Sequence, residues 1–113
     1  LVRSRKITDG MAIRCAHSIA EFSEKRGIDP DNIIATMEET DVFAQEAADV
    51  AMQAIKEGVA RITLSWDEVY TRAKADISAA RSLVEDMKKL GHIQEPPEEM
   101  VEKALSQAID AVR

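Results

Sequence analysis

Apolar residues recur at three- and four-residue steps in four stretches of the chain, a spacing typical of amphipathic helices. The pattern predicts helices over residues 9–26, 41–56, 65–90 and 97–112. Gly27 and Gly58 follow the first two stretches, and a run with two prolines, residues 95–97, separates the last two. Glycine commonly ends a helix and proline suits a first turn. The predicted fold class is therefore all-α, a small bundle of about four helices.

The first two predicted helices each carry an apolar face rich in small residues, which we expect to be buried. In the first helix this face is Ala12, Cys15, Ala16, Ile19, Ala20 and Phe22. In the second helix it is Phe43, Ala47, Val50, Ala51, Ala54 and Ile55. Small side chains let a helix approach a sheet or a second helix closely, so close packing is predicted for both.

The third predicted helix has the most regular pattern. It opens with Ser65 and, three residues later, Glu68, the arrangement of a capping box. Its apolar positions alternate at steps of four and three, a period of 3.5 that is typical of a helix–helix seam. They are Trp66, Tyr70, Ala73, Ile77, Ala80, Val84 and Met87. Trp66, Tyr70, Ile77 and Val84 are thus candidates for an interface between chains, although packing within one small bundle is the favoured interpretation.

Residues 59–64 form the single weak strand candidate, with partial alternation of side chains. One strand without a partner is not stable. The segment is therefore expected either to be irregular or to pair with strands of a larger protein. The chain begins with Leu1 and not with methionine, which is expected of a segment of a longer protein.

Composition narrows the class of protein. The chain is 45% apolar and 32% charged, ordinary values for a folded soluble domain. A net charge of −6 argues against a nucleic-acid partner, because phosphate binding needs a basic surface. No apolar run approaches the length that spans a membrane. The single cysteine, Cys15, cannot form an internal disulfide, which favours a cytoplasmic location.

No specific catalytic constellation is visible. Cys15 and His17 lie two residues apart on a helix and so do not face each other, whereas a nucleophilic pair must be in contact. The four glycines are scattered, so the chain has no glycine-rich phosphate loop. Arg3, Arg5 and Lys6 form a short basic cluster, for which a solvated terminus is the simpler interpretation.

A metal site near His92 is also disfavoured. Glu95, Glu98 and Glu99 follow this histidine, but their spacing matches no histidine–carboxylate motif and includes two prolines. Acidic residues are favoured at a helix N-terminus, which explains them without a metal. The residues alone therefore predict no catalytic, cofactor-binding or metal-binding group.

Three segments, residues 5–13, 31–34 and 41–61, resemble bacterial malic enzymes in the same order. In that family an arginine-rich turn of the nucleotide-binding domain leads into a helix opening Ile-Thr/Asn-Asp-x-Met. There follow an Asn-Ile-Ile motif and a last helix that ends in a sequence similar to Gly-Val-Ala-Arg. Residues 39–40 depart from a proline-containing pattern of the family. The resemblance implies that residues 1–64 end the nucleotide-binding domain of an α/β dehydrogenase and that 65–113 are a two-helix C-terminal extension.

This resemblance implies a parent enzyme that oxidises malate with NAD or NADP and forms pyruvate with Mg²⁺ or Mn²⁺. The family's tyrosine, lysine, acidic metal ligands and glycine-rich loop have no counterpart here, so no catalytic residue is carried over and no cofactor is expected on this segment. The implied role is a C-terminal structural or oligomerisation portion, in contact with the rest of the parent or with a second copy. Two alternatives stay open: a free-standing helical adaptor or dimerisation module, and a regulatory domain that binds a small metabolite.

Overall fold

The computed structural model describes residues 1–112, which contain four α-helices and no strand. These are α1 (Asp9–Arg26), α2 (Asp41–Lys56), α3 (Trp66–Lys89) and α4 (Glu98–Ala111). The all-α prediction is confirmed, and the helix ends lie within one residue of those predicted. The chain divides into two compact units, Leu1–Ala79 and a second unit that begins at Ala80. The predicted division after residue 64 separates the end of a nucleotide-binding domain from an extension in a larger protein. This division stays a prediction.

Local capping explains where two of the helices begin. Thr8 Oγ1 accepts a hydrogen bond from the Met11 amide at 3.1 Å at the start of α1. At the start of α3, Ser65 Oγ accepts from the Glu68 amide at 3.3 Å, and the Glu68 carboxylate accepts from the Ser65 amide at 2.7 Å. These reciprocal bonds satisfy amides that have no partner inside the helix. The predicted capping box is confirmed.

The core of the first unit lies where α1 packs against α2. Its buried residues are Val2, Met11, Ala48, Ala51, Ala54 and Val69. Half of these residues are alanines, which allow the helix backbones to lie close together. The core is consequently small and depends on close approach more than on large side chains.

The face that α1 buries differs from the predicted one. Met11, Ser18 and Ser23 are its buried residues, whereas Ala12, Ala16 and Ala20 are exposed. The prediction for these alanines is wrong within this chain, because hydrogen bonds from the polar side of α1 turn that side toward α2. On α2, by contrast, the predicted burial of Ala51 and Ala54 is confirmed.

The segment after α2 pairs with the first residues of the chain. The Val2 carbonyl accepts from the amides of Arg61 and Ile62 at 3.1 and 3.2 Å, and the Arg5 amide donates to the Val59 carbonyl at 3.0 Å. Val2 is only 7% exposed. Residues 59–62 are thus irregular, which was one of the two structures expected for this segment. The premise that they lack a partner within this chain is wrong.

The second unit contains the end of α3 and all of α4. Every residue from Ala80 to Val112 is exposed, and α4 buries none of its side chains. Gly91, with φ of 77°, ends the α3 turn, and the His92 amide donates to the Met87 carbonyl at 2.9 Å. The second unit therefore has no internal core of its own, and within residues 1–112 α3 and α4 do not pack against each other.

Candidate functional site

A largely buried carboxylate, Asp49, connects three helices of the first unit. Its Oδ2 atom accepts hydrogen bonds from Arg14 Nη2 at 2.8 Å and from Ser18 Oγ at 2.7 Å, both on α1. Its Oδ1 atom accepts from Trp66 Nε1 of α3 at 2.8 Å. The Asp49 side chain is 11% exposed, and Ser18 is fully buried. We call these four residues the Asp49 clasp.

The electrostatics of the Asp49 clasp suit a structural carboxylate. Burial raises the pKa of Asp49, but the hydrogen bonds from Ser18, Trp66 and Arg14 outweigh burial, and the pKa lies below its ordinary value. Arg14 also pairs with Glu21 at 2.9 Å. Both Asp49 oxygens are engaged by neighbours, so this carboxylate is held ionised and occupied and is poorly suited to accept a substrate proton.

Sequence reasoning did not find the Asp49 clasp. The available signal is an acidic residue in the alanine-rich stretch of α2, beside Ala48 and Ala51. A second signal is the pair Arg14 and Ser18, one helical turn apart, which share one face of α1. Each signal alone also fits a solvated surface, and only the packing of α1 on α2 brings them together.

The four candidate seam residues of α3 lie in different surroundings. Trp66 and Tyr70 stack with ring centroids 4.9 Å apart and pack against the core of the first unit. Ile77 is half-buried, and Val84 is 44% exposed in the second unit. Trp66 and Tyr70 thus contribute to packing within this chain. The use of this seam between chains stays a prediction.

The surroundings of Cys15 disfavour its reactive thiolate form. Its Sγ donates to Glu46 Oε1 at 3.1 Å. This hydrogen bond, together with burial and the negative charge of Glu46, raises the pKa of Cys15, whereas a reactive thiol needs a lowered pKa. His17 is exposed on another side of α1. The two residues therefore do not form a nucleophile and its base.

Residues 1–112 contain no group of three or more histidine, cysteine, aspartate or glutamate residues placed to hold a metal ion. His92, Glu98 and Glu99 are exposed, and Glu95 lies 3.8 Å from Lys88. In the same described range, no helix is long and apolar enough to cross a membrane.

One apolar surface lies on the first unit, around a shallow cavity of about 230 Å³. We call it the α1 apolar surface. Its apolar members are Ala16, Ile19, Ala20, Ile28, Ile33 and Ile34. The three isoleucines after α1 are each more than half exposed. A cluster of this kind on an otherwise charged chain is typical of a contact with other protein.

A second group of exposed apolar side chains lies in the second unit, and we call it the second-unit apolar group. On the end of α3 it consists of Leu83, Val84, Met87 and Leu90, and on α4 of Met100, Val101, Leu105 and Ile109. All eight side chains are at least about one-third exposed. These eight apolar side chains are thus left exposed by the described part of the chain.

Comparison with known proteins gives one strong similarity. No family model matches the chain, and no curated protein matches it. The crystal structure of Entamoeba histolytica malic enzyme is 54% identical, with a TM-score of 0.92, over 98% of this chain and 23% of that one. The chain spans about a quarter of the length of the solved structure that it matches. It is thus similar in sequence and in fold to a region of a malic enzyme.

Proposed function

We propose that this chain is the C-terminal structural and oligomerisation portion of an NAD(P)-dependent malic enzyme. The observation that carries the proposal is 54% identity over nearly the whole chain to a region that makes up 23% of a malic enzyme. The parent protein would oxidise malate with NAD or NADP and release pyruvate. Residues outside this chain would hold the nucleotide and the Mg²⁺ or Mn²⁺ ion, and the enzyme would be cytoplasmic.

The described residues support a role that is not catalytic. Asp49 has both oxygens engaged within the chain, and the pKa of Cys15 is raised. Hydride transfer needs a bound nucleotide, and decarboxylation in this family needs a metal. No metal-holding group lies within residues 1–112. The 113-residue chain alone is expected to be inert toward malate.

The α1 apolar surface supports a contact with the rest of the parent. Its alanines allow another element to lie close to α1, and its isoleucines are exposed in this chain. Ala16→Glu in the full polypeptide should therefore lower its melting temperature, because the carboxylate would be buried without a partner. His17→Glu, one position along the same helix, is the matched control and should have little effect.

The direct test is the size of the native protein in its own cells, measured by immunoblotting with an antibody against this chain. The proposal expects a band several times heavier than 12.5 kDa. The full polypeptide should then reduce NAD or NADP in the presence of malate and Mg²⁺ or Mn²⁺, and the 113-residue chain should not. A band near 12.5 kDa would contradict the proposal.

A free-standing helical adaptor or dimerisation module is the second candidate. The second-unit apolar group favours it, because exposed apolar side chains along a helix suit a partner helix. A native band near 12.5 kDa together with a stable oligomer would support this candidate over the enzyme portion.

A further inference from the structure

Three arginines of the first unit lie on neighbouring stretches of backbone, although they are far apart in sequence. Arg3 and Arg5 belong to the first residues of the chain, and Arg61 follows α2. The Arg61 amide donates to the Val2 carbonyl at 3.1 Å, and the Arg5 amide donates to the Val59 carbonyl at 3.0 Å. Backbones that are paired in this way run about 5 Å apart. We call Arg3, Arg5 and Arg61 the arginine cluster.

The backbone that carries the arginine cluster is strained and is held in place on both sides. Arg3 has a φ of 50°, in the left-handed region that costs energy for any residue with a Cβ atom. On one side of it Val2 is buried in the core. On the other side Ser4 Oγ donates to the Lys6 carbonyl at 2.6 Å. Strained backbone that the surrounding structure maintains is concentrated at functional sites, ligand-binding sites among them.

No carboxylate within residues 1–112 forms an ion pair with a member of the arginine cluster, and all three side chains are exposed. By contrast, Arg14 and Arg26 of the same unit each pair with a carboxylate at 2.8 Å or less. Of the acidic residues on nearby segments, Glu57 already accepts a hydrogen bond from Thr8 Oγ1, and Asp9 lies in the first turn of α1. The arginine cluster is thus a concentration of positive charge without a bound counter-charge, on a chain whose net charge is −6.

The chemistry of the arginine cluster suits a phosphate group. A guanidinium group presents a planar set of donors that matches two phosphate oxygens at once. A phosphate group carries up to about two negative charges at neutral pH, so it offsets the repulsion among several arginines better than one carboxylate does. We infer that the arginine cluster binds a phosphate group, supplied by inorganic phosphate or by a phosphate ester. The sequence pattern alone indicated a solvated terminus, because Arg61 joins Arg3 and Arg5 only when the chain folds.

The experiment measures phosphate binding to the full polypeptide by isothermal titration calorimetry at constant ionic strength, so that screening by salt is the same throughout. Inorganic phosphate and glucose 6-phosphate are titrated separately. Arg61→Gln removes one guanidinium group but keeps the backbone amide that donates to Val2. Arg72→Gln, at an exposed position of α3, is the matched control. Arg61→Gln should raise the dissociation constant at least about tenfold, because charge-assisted hydrogen bonds are lost. Arg72→Gln should change it by less than about twofold.

Two further variants make the result specific to the arginine cluster. Arg5→Gln must weaken binding as Arg61→Gln does, and it decides the outcome if Arg61→Gln lowers the urea midpoint of the protein. Arg61→Lys keeps the charge but loses the planar donors, so its affinity should lie between those of wild type and Arg61→Gln.

Binding of either phosphate source with this order of variants supports the inference, and the source with the lower dissociation constant is the one that the site prefers. A wild type that binds neither source would overturn the inference, since the rest of the polypeptide would then cover or neutralise the arginine cluster. An equal loss of affinity in Arg61→Gln and Arg72→Gln, or a loss in neither of them, would overturn it as well, because the phosphate would then be bound elsewhere or without specificity.

Discussion

Asp49→Ala removes the acceptor that three donors share. Ser18 Oγ and Trp66 Nε1 would each lose their hydrogen bond to this carboxylate. Arg14 would keep its pair with Glu21, so its charge would not be left alone. The substitution therefore tests the packing of α1 and α3 onto α2 with little other change.

The size of the effect follows from the two donors that lose their partner. A buried donor left without an acceptor costs about 1–3 kcal/mol. Ser18 is fully buried, and the Trp66 indole packs against the core. Removing a partly buried charge returns some of this cost. We expect Asp49→Ala to lower the free energy of unfolding of the first unit by about 3 kcal/mol.

Urea unfolding followed by tryptophan fluorescence measures this directly, because the chain has one tryptophan and it belongs to the Asp49 clasp. With a urea dependence of about 1–3 kcal/mol per molar, the midpoint should fall by at least about 1 M. Asp76→Ala, at an exposed position of α3, is the control. Its free energy of unfolding should stay within about 0.5 kcal/mol of the wild-type value. If the urea midpoint of Asp49→Ala falls no further than that of Asp76→Ala, the Asp49 clasp does not stabilise the fold.

Three further outcomes are expected from the first unit. Ala48→Leu should cost about 1–3 kcal/mol in the same urea assay, because Ala48 is fully buried between closely packed helices; a neutral result would mean that the core has room. The folded pKa of Asp49 lies below its ordinary value of about 3.9, so its stabilisation should be present above that value and be lost as the pH falls through the folded pKa. The urea midpoint of Asp49→Asn should depend less on pH in that window, and equal curves would contradict this assignment. Cys15 should react with iodoacetamide at pH 8 more slowly in the folded chain than in urea, and Glu46→Gln should speed the folded reaction, because Glu46 raises the pKa of this thiol.

The helices of this chain could be predicted from sequence because their signals are local. The N-cap Thr8, the Ser65–Glu68 capping box and Gly27 each act within a few residues, and the observed helix ends follow them. Periodicity also predicted α4 as an amphipathic helix with an apolar side. It could not show whether that side is covered, since burial depends on what surrounds a helix.

The packing of α1 could not be predicted, because its cause is distant in sequence. Apolar periodicity favoured the side with Ala12 and Ala16, but the bonds of Ser18 and Arg14 to Asp49 turn the opposite side inward. The donor and acceptor residues are more than thirty positions apart. Local pattern therefore predicts the helix, and the polar partners decide its orientation.

The same limit applies to the chain after α2. Alternation indicated a weak strand at residues 59–64, and the chain offered no second strand beside it in sequence. Its partner is the stretch around Val2 and Arg5, which has no strand pattern of its own. A pairing made by backbone groups leaves little trace in side-chain identity.

The bonds between Val2 and residues 61–62 also have a consequence for modularity. The chain passes through α1 and α2 and returns to the place where it entered, so the two helices form a closed loop of backbone. Segments whose ends lie side by side are those that tolerate transfer into another scaffold or permutation of the chain. We therefore expect the α1–α2 pair to tolerate transfer as one block when Trp66 and Val69, which complete the Asp49 clasp and the core, are kept with it. A cut between α1 and α2 would instead divide Arg14 and Ser18 from Asp49, their acceptor in the Asp49 clasp.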